Sequence, residues 1–93
     1  MNTITIDGVR FAVEDFACLP WPPSGLVEEV RFRLPGTQGA GPVRVGHYVP
    51  IAFDVNGDRY AGFFRLVERT VEKSHSEYKY AGSARPRRDE LRI

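Results

Sequence analysis

A hairpin centred on Asn56-Gly57 constrains the fold more than any other feature of the sequence. A type I′ turn needs positive φ at both central residues, and Asn-Gly supplies this most readily. Because a two-residue turn fixes the register, we expect Phe53 opposite Tyr60 and Asp54 opposite Arg59. The apolar positions then share one face, which we predict to be the core face: Val49, Ile51, Phe53, Tyr60, Phe64 and Leu66.

A second hairpin is predicted around Asp7-Gly8, which has the same turn chemistry. Its short strands place Ile4 and Ile6 opposite Phe11 and Val9. We expect Glu14–Leu19 to form one helical turn or a bend.

The segment Pro20–Gly25 contains three prolines and cannot be a helix interior or a central strand. It is predicted to be an extended connection. For Trp21 we expect a cap over one end of the barrel or sandwich, and the alternative is an exposed anchor.

The rest of the chain alternates as strands and loops. Leu26–Leu34 predicts a half-solvated strand with Leu26, Val30, Phe32 and Leu34 inward. The glycine-rich segment Pro35–Pro42 is predicted to be a mobile surface loop. A polar loop tip is expected at Glu72–Glu77, a return strand at Tyr78–Gly82, and a charged tail at 84–93 with a helical turn from Asp89.

These patterns predict one all-β domain over residues 1–93, a small antiparallel barrel or sandwich of five to six strands. The net charge of +1 gives no strong attraction to nucleic acid or to an anionic membrane. A single cysteine, Cys18, excludes an internal disulfide and is typical of a reducing compartment. We expect no signal peptide and no membrane segment.

The residue types that carry chemistry form no recognisable constellation. The spacing of Cys18, His47 and His75 matches no zinc pattern. The segment Asp54–Asp58 resembles the start of a calcium loop, but Arg59 and Arg65 occupy positions that the loop requires as Gly and Glu. We therefore expect no enzyme activity, no cofactor and no metal.

An aromatic and basic set offers an alternative function. Phe63, Tyr78 and Tyr80 with Arg65 could form a stacking platform for single-stranded nucleic acid on a small OB- or SH3-like barrel. The competing interpretation places these aromatic rings in the core, and the low net charge favours it. We therefore do not expect nucleic acid as a partner.

The stretch from Val45 resembles a known family, the β-barrel hub proteins of phage tails, which include the late-control proteins of contractile tails and their type VI spike relatives. The segments that carry the resemblance are Val45–Val49, Phe53–Gly57, Tyr60–Phe63, Tyr80–Arg85 and Asp89–Leu91. Two positions depart from the family pattern: His47 replaces an acidic turn residue, and Ser83 stands where Arg is expected.

The resemblance implies a structural subunit of a bacteriophage tail tip or baseplate, made in the bacterial cytoplasm and incorporated into the virion. Its expected partners are other tail proteins and copies of itself. A small regulator that binds one host protein is a further alternative. The candidate interface consists of Trp21, Gly36, Gly39, Gly41, Arg87, Arg88, Leu91, Arg92 and Ile93.

Overall fold

The computed structural model describes residues 2–23, 25–35 and 47–87. Within these ranges the chain forms six strands. They are β1 (Asn2–Ile6), β2 (Val9–Leu19), β3 (Val27–Pro35), β4 (Tyr48–Val55), β5 (Asp58–Val71) and β6 (His75–Pro86).

The six strands close into an antiparallel barrel with the order β1-β2-β3-β6-β5-β4. β1 pairs with β2 on one side and with β4 on the other, which closes the cylinder. The predicted small all-β antiparallel barrel is therefore confirmed. Closure leaves no open edge along the paired parts of these strands.

Both predicted hairpins have the expected registers. Phe53 pairs with Tyr60 and Asp54 with Arg59, and the turn residues Asn56 and Gly57 have φ of 51° and 85°. The Asp7-Gly8 turn has φ of 52° and 83°. All six residues predicted for the core face of the central hairpin are buried.

The interior of the barrel is filled by aromatic and branched side chains. Phe53 stacks on Tyr60 with ring centroids 5.7 Å apart and an interplanar angle of 6°. Phe32 stacks on Tyr78 at 5.4 Å and on Tyr80 at 5.8 Å. Such ring pairs stabilise a core beyond the free energy of apolar burial alone.

The prediction of a helical turn or bend at Glu14–Leu19 is wrong, because β2 continues through this segment to Leu19. A bulge shifts the β2–β3 register between Glu14 and Ala17, and Asp15 has a φ of 50°. The extra residue changes which positions face inward, so that Val13 and Phe16 both approach the core. Their spacing of three residues imitates the period of a helix.

The predicted set of inward residues in β3 is wrong at its start, because the register between β3 and β6 shifts there. Val27 is fully buried, whereas Leu26 is exposed. The β3–β6 register shifts between Val27 and Glu29, so the inward alternation resumes only at Val30. Val30 and Phe32 are buried as predicted, and Leu34 is partly buried against the core.

The C-terminal hairpin is longer than the sequence pattern indicated. β6 begins at His75 and ends at Pro86, so the predicted polar tip shortens to the residues between Val71 and His75. Ala84 lies in the strand and is buried, and therefore the charged tail does not begin there. The predicted helical turn from Asp89 and the predicted loop beyond Pro35 lie outside the described residues.

Residues 2–23, 25–35 and 47–87 contain no helix with the length and hydropathy that a membrane span requires.

Candidate interaction surfaces

Large apolar side chains lie exposed at the end of β2 and in the connection from β2 to β3. Trp21 is 56% exposed, and Leu19 and Leu26 are also exposed. These three residues define the Trp21 end of the barrel. A folded domain gains nothing from ordering apolar side chains in water, and an exposed apolar group of this kind is typical of a contact site.

The local sequence explains why these side chains remain outside. Pro20, Pro22 and Pro23 interrupt the strand pairing, because proline lacks the N–H that a ladder requires. Gly25 then adopts a φ of 137°, a conformation that L side chains rarely adopt, before the chain enters β3. The connection therefore runs outside the barrel rather than across its core.

The prediction that Trp21 caps the barrel end is not supported, because more than half of its surface is exposed. The alternative, an exposed anchor, agrees with this burial. Trp is enriched among the residues that dominate protein–protein contacts. Sequence reasoning included Trp21 in the candidate interface but missed Leu19 and Leu26. The register shift between β3 and β6, which leaves Leu26 outside, has no clear sequence signal.

Arg87 is the other member of the predicted interface that the structure describes, and it follows the end of β6. Its backbone N–H donates to the carbonyl oxygen of Arg59 at 2.7 Å. β6 and β3 are antiparallel, with Ala84 opposite Val27, so Arg87 lies toward the same end of the barrel as Trp21. The remaining predicted interface residues lie outside the described residues: Gly36, Gly39, Gly41, Arg88, Leu91, Arg92 and Ile93.

A second apolar surface lies on the outside of β4 and β5. Tyr48 and Phe63 are 62% and 61% exposed. Pro50 lies opposite Phe63, and Ala52 lies opposite Ala61. These five residues define the Phe63 face, which contains a shallow groove of about 370 Å³ whose walls also include Thr5 and Arg87.

Arginine surrounds the Phe63 face. Tyr48 lies opposite Arg65, and Ala61 lies opposite Arg85. Arg59 also belongs to this outer surface, and its Nε lies 3.1 Å from Oδ1 of Asp54. Among the described residues, neither Arg65 nor Arg85 forms an ion pair.

The platform predicted for single-stranded nucleic acid does not form from the residues proposed for it. Tyr78 and Tyr80 are buried in the barrel, where they stack on Phe32, while Phe63 and Arg65 lie on the outside. The competing core interpretation is therefore confirmed for both tyrosines. The guanidinium carbon of Arg69 lies 5.6 Å from the ring centroid of Tyr78, so one arginine does contact this buried pair.

The outer surface of β2, β3 and β6 is polar and internally paired. Nε of Arg31 lies 2.6 Å from Oε2 of Glu29, and Arg33 forms an ion pair with Asp15. Nζ of Lys79 lies 3.9 Å from Oε1 of Glu29. Because acidic and basic groups neutralise one another here, this surface shows no preference for a charged ligand.

Titratable groups with shifted pKa values are buried in the interior. Burial raises the pKa of the Cys18 thiol, which suits a small core residue rather than a nucleophile. Burial also raises the pKa of Tyr80 strongly; Tyr78 adds to this shift and Arg69 opposes it. His75 lies at the start of β6, with Nε2 3.4 Å from Oε2 of Glu77.

Within the described part of the chain, no three His, Cys, Asp or Glu side chains come together as metal ligands.

Comparison of the chain with protein-family models, with curated proteins and with solved structures finds no match.

Proposed function

We propose that this protein is a non-enzymatic structural subunit of a bacteriophage tail tip or baseplate, and that it acts by assembling with copies of itself and with neighbouring tail proteins. The resemblance of Val45–Leu91 to tail hub barrels motivates the phage assignment. In this proposal the protein is made in the bacterial cytoplasm and functions in the virion.

The observation that best supports assembly is the Trp21 end. The barrel is closed and its core is complete without Leu19, Trp21 and Leu26. Placing three large apolar side chains in water has no benefit for an isolated domain, whereas burying them against another protein stabilises the contact by about 25 cal/mol per Å² of apolar surface. A partner surface at this end removes the exposure.

Size adds to this argument. A chain of 93 residues buries a smaller share of its surface than a large domain does, so additional burial through assembly contributes more to its stability. Ring-forming contacts are heterologous, meaning that two different patches of each subunit meet. The Trp21 end supplies one such patch.

Size-exclusion chromatography with light scattering tests the proposal. We expect a mass larger than the 10.5 kDa monomer at high protein concentration. Trp21→Ser is expected to return the protein to the monomer, because it removes the largest exposed apolar group of this end. Val67→Ser is the matched control, since Val67 is also exposed but lies on β5, away from this end.

A protein that remains monomeric at all concentrations would contradict self-assembly. An oligomer that Trp21→Ser leaves intact would contradict the Trp21 end as its interface.

A further inference from the structure

Charge is unevenly distributed over this barrel. The chain as a whole has a net charge of +1. The outer surface beside Phe63 carries Arg59, Arg65 and Arg85; Arg59 pairs with Asp54, whereas Arg65 and Arg85 form no ion pair among the described residues. Two arginines without an ion pair therefore lie beside the exposed rings, an arrangement that the net charge of the whole chain does not reveal.

From this arrangement we propose that the Phe63 face, together with Arg65 and Arg85, binds single-stranded nucleic acid. Phe63 and Tyr48 supply exposed rings on which bases can stack. They occupy diagonal positions of the β4–β5 pair, about 7–8 Å apart by strand geometry. Phosphates of the bound nucleic acid then reach the guanidinium groups beside the rings.

The register supports this assignment in detail. Arg65 is directly opposite Tyr48, so a ring and a guanidinium stand side by side at one end of the face. Arg85 is opposite Ala61, two positions along β5 from Phe63, and adds a second cation at the other end. Neither arginine has an ion pair among the described residues. Arginine presents a planar fork that matches phosphate oxygens.

The same surface is poorly suited to an extended acidic peptide. Between Tyr60 and Arg65, β5 pairs with both β4 and β6, and so no backbone edge is available for a peptide to extend the sheet. The groove beside Phe63 is shallow and offers no deep pocket for an apolar anchor. Single-stranded nucleic acid, with flat bases and regularly spaced phosphates, fits this flat aromatic and basic surface better than an acidic peptide does.

Fluorescence anisotropy with a labelled twenty-nucleotide oligothymidylate and the full chain tests the proposal. We expect measurable binding at 50 mM salt that weakens roughly sevenfold by 200 mM salt, the change for about two phosphate contacts on a single strand. Phe63→Ala and Tyr48→Ala are each expected to weaken binding roughly tenfold, through the loss of one stacked base.

The controls lie outside both proposed surfaces. Val71→Ala removes an exposed apolar side chain at the end of β5, and Arg31→Ala removes an exposed arginine from β3. Both are expected to leave the affinity unchanged, whereas Arg65→Ala and Arg85→Ala weaken binding and reduce its salt dependence. Circular dichroism verifies that each variant keeps the fold.

Three results would overturn the proposal. The first is no binding at 50 mM salt with protein at about 100 µM, the upper end of the range of dissociation constants for nonspecific binding. The second is binding that Phe63→Ala and Tyr48→Ala leave unchanged. The third is equal displacement of the oligonucleotide by poly-L-glutamate at the same charge concentration, which would indicate an acidic protein as the partner. None of these results bears on the Trp21 end, so assembly and nucleic-acid binding are tested separately.

Discussion

Gly62 on β5 lies so close to the carbonyl oxygen of Ser83 on β6 that a Cβ atom at position 62 would overlap that oxygen. Gly82 on β6 has the same relationship with the carbonyl oxygen of Phe63. The two strands therefore approach each other more closely here than side chains at these positions permit. Glycines of this kind allow a sheet to bend sharply enough to close into a barrel.

Gly62→Ala is expected to destabilise the protein by about 3 kcal/mol, the upper end of the range for overpacking, because the overlapping atom belongs to the backbone and cannot rotate away. Urea unfolding measures the effect. Gly57→Ala is the comparison: a Cβ at Gly57 meets no atom within 4 Å, so the variant is destabilised only by the strain of a positive φ, about 1–2 kcal/mol. An equal loss of stability in the two variants would contradict the close approach of β5 and β6.

Gly57→Val tests the turn of the central hairpin. Gly57 has a φ of 85°, and a β-branched residue is strained in that region even where space is available. We expect a loss of about 1–3 kcal/mol in the free energy of unfolding. An unchanged denaturation midpoint would show that the turn adopts another conformation.

The register shift between β3 and β6 predicts different stability costs for substitutions at two adjacent residues of the chain. Val27 is fully buried and Leu26 is exposed. Val27→Ala is therefore expected to cost about 1–3 kcal/mol through lost burial and a residual cavity, while Leu26→Ala costs less than about 0.5 kcal/mol. If Leu26→Ala lowers the free energy of unfolding of the monomer more than Val27→Ala does, the register shift is absent and β3 alternates as its sequence suggests.

Alkaline conditions test the burial of Tyr80. Its pKa is raised in the native protein, so the native state keeps a proton that the unfolded state releases near pH 10. The corresponding stability is fully present below that pH and is lost as the pH rises above it. Urea unfolding between pH 8 and 11 is expected to show this decline, and Tyr80→Phe is expected to flatten it. Equal declines of the free energy of unfolding in the parent and in Tyr80→Phe would show that Tyr80 is exposed to solvent.

Much of the fold follows from local chemistry in the sequence. Asn56-Gly57 and Asp7-Gly8 each determine a turn and a register that agree with the structure, and the central hairpin also has its predicted inward face. Those predictions succeed because a two-residue turn leaves no freedom in how its strands pair.

The failures concern bulges and chain ends. One extra residue in β2 near Asp15, and one in β6 opposite the Val27–Glu29 segment, shift the strand registers, and no residue type predicts either shift reliably. The structure also separates Phe63 from Tyr78 and Tyr80, which sequence reasoning had grouped as one aromatic platform. The register of the central hairpin places Phe63 outside, next to the inward Phe64, whereas the inward face of Tyr78 and Tyr80 follows from the pairing of β6 with β3 and β5.

The Trp21 end could be predicted only in part. The prolines around Trp21 indicate an irregular connection, but whether the indole is buried depends on how that connection leaves the barrel. Composition likewise gives a charge for the whole chain, whereas the arginines around Phe63 become neighbours only when β4, β5 and β6 pair.

Assembly through the Trp21 end is tested most directly by the emission of Trp21 itself, the single tryptophan of the chain. Its spectrum and its quenching by acrylamide are followed while the protein is concentrated from nanomolar to high micromolar. We predict a shift to shorter wavelength and a loss of quenching as the mass measured by light scattering rises, because the exposed indole becomes buried between subunits. An emission maximum and a quenching constant that stay those of an exposed indole while the mass rises, or a mass that never rises, would contradict this account.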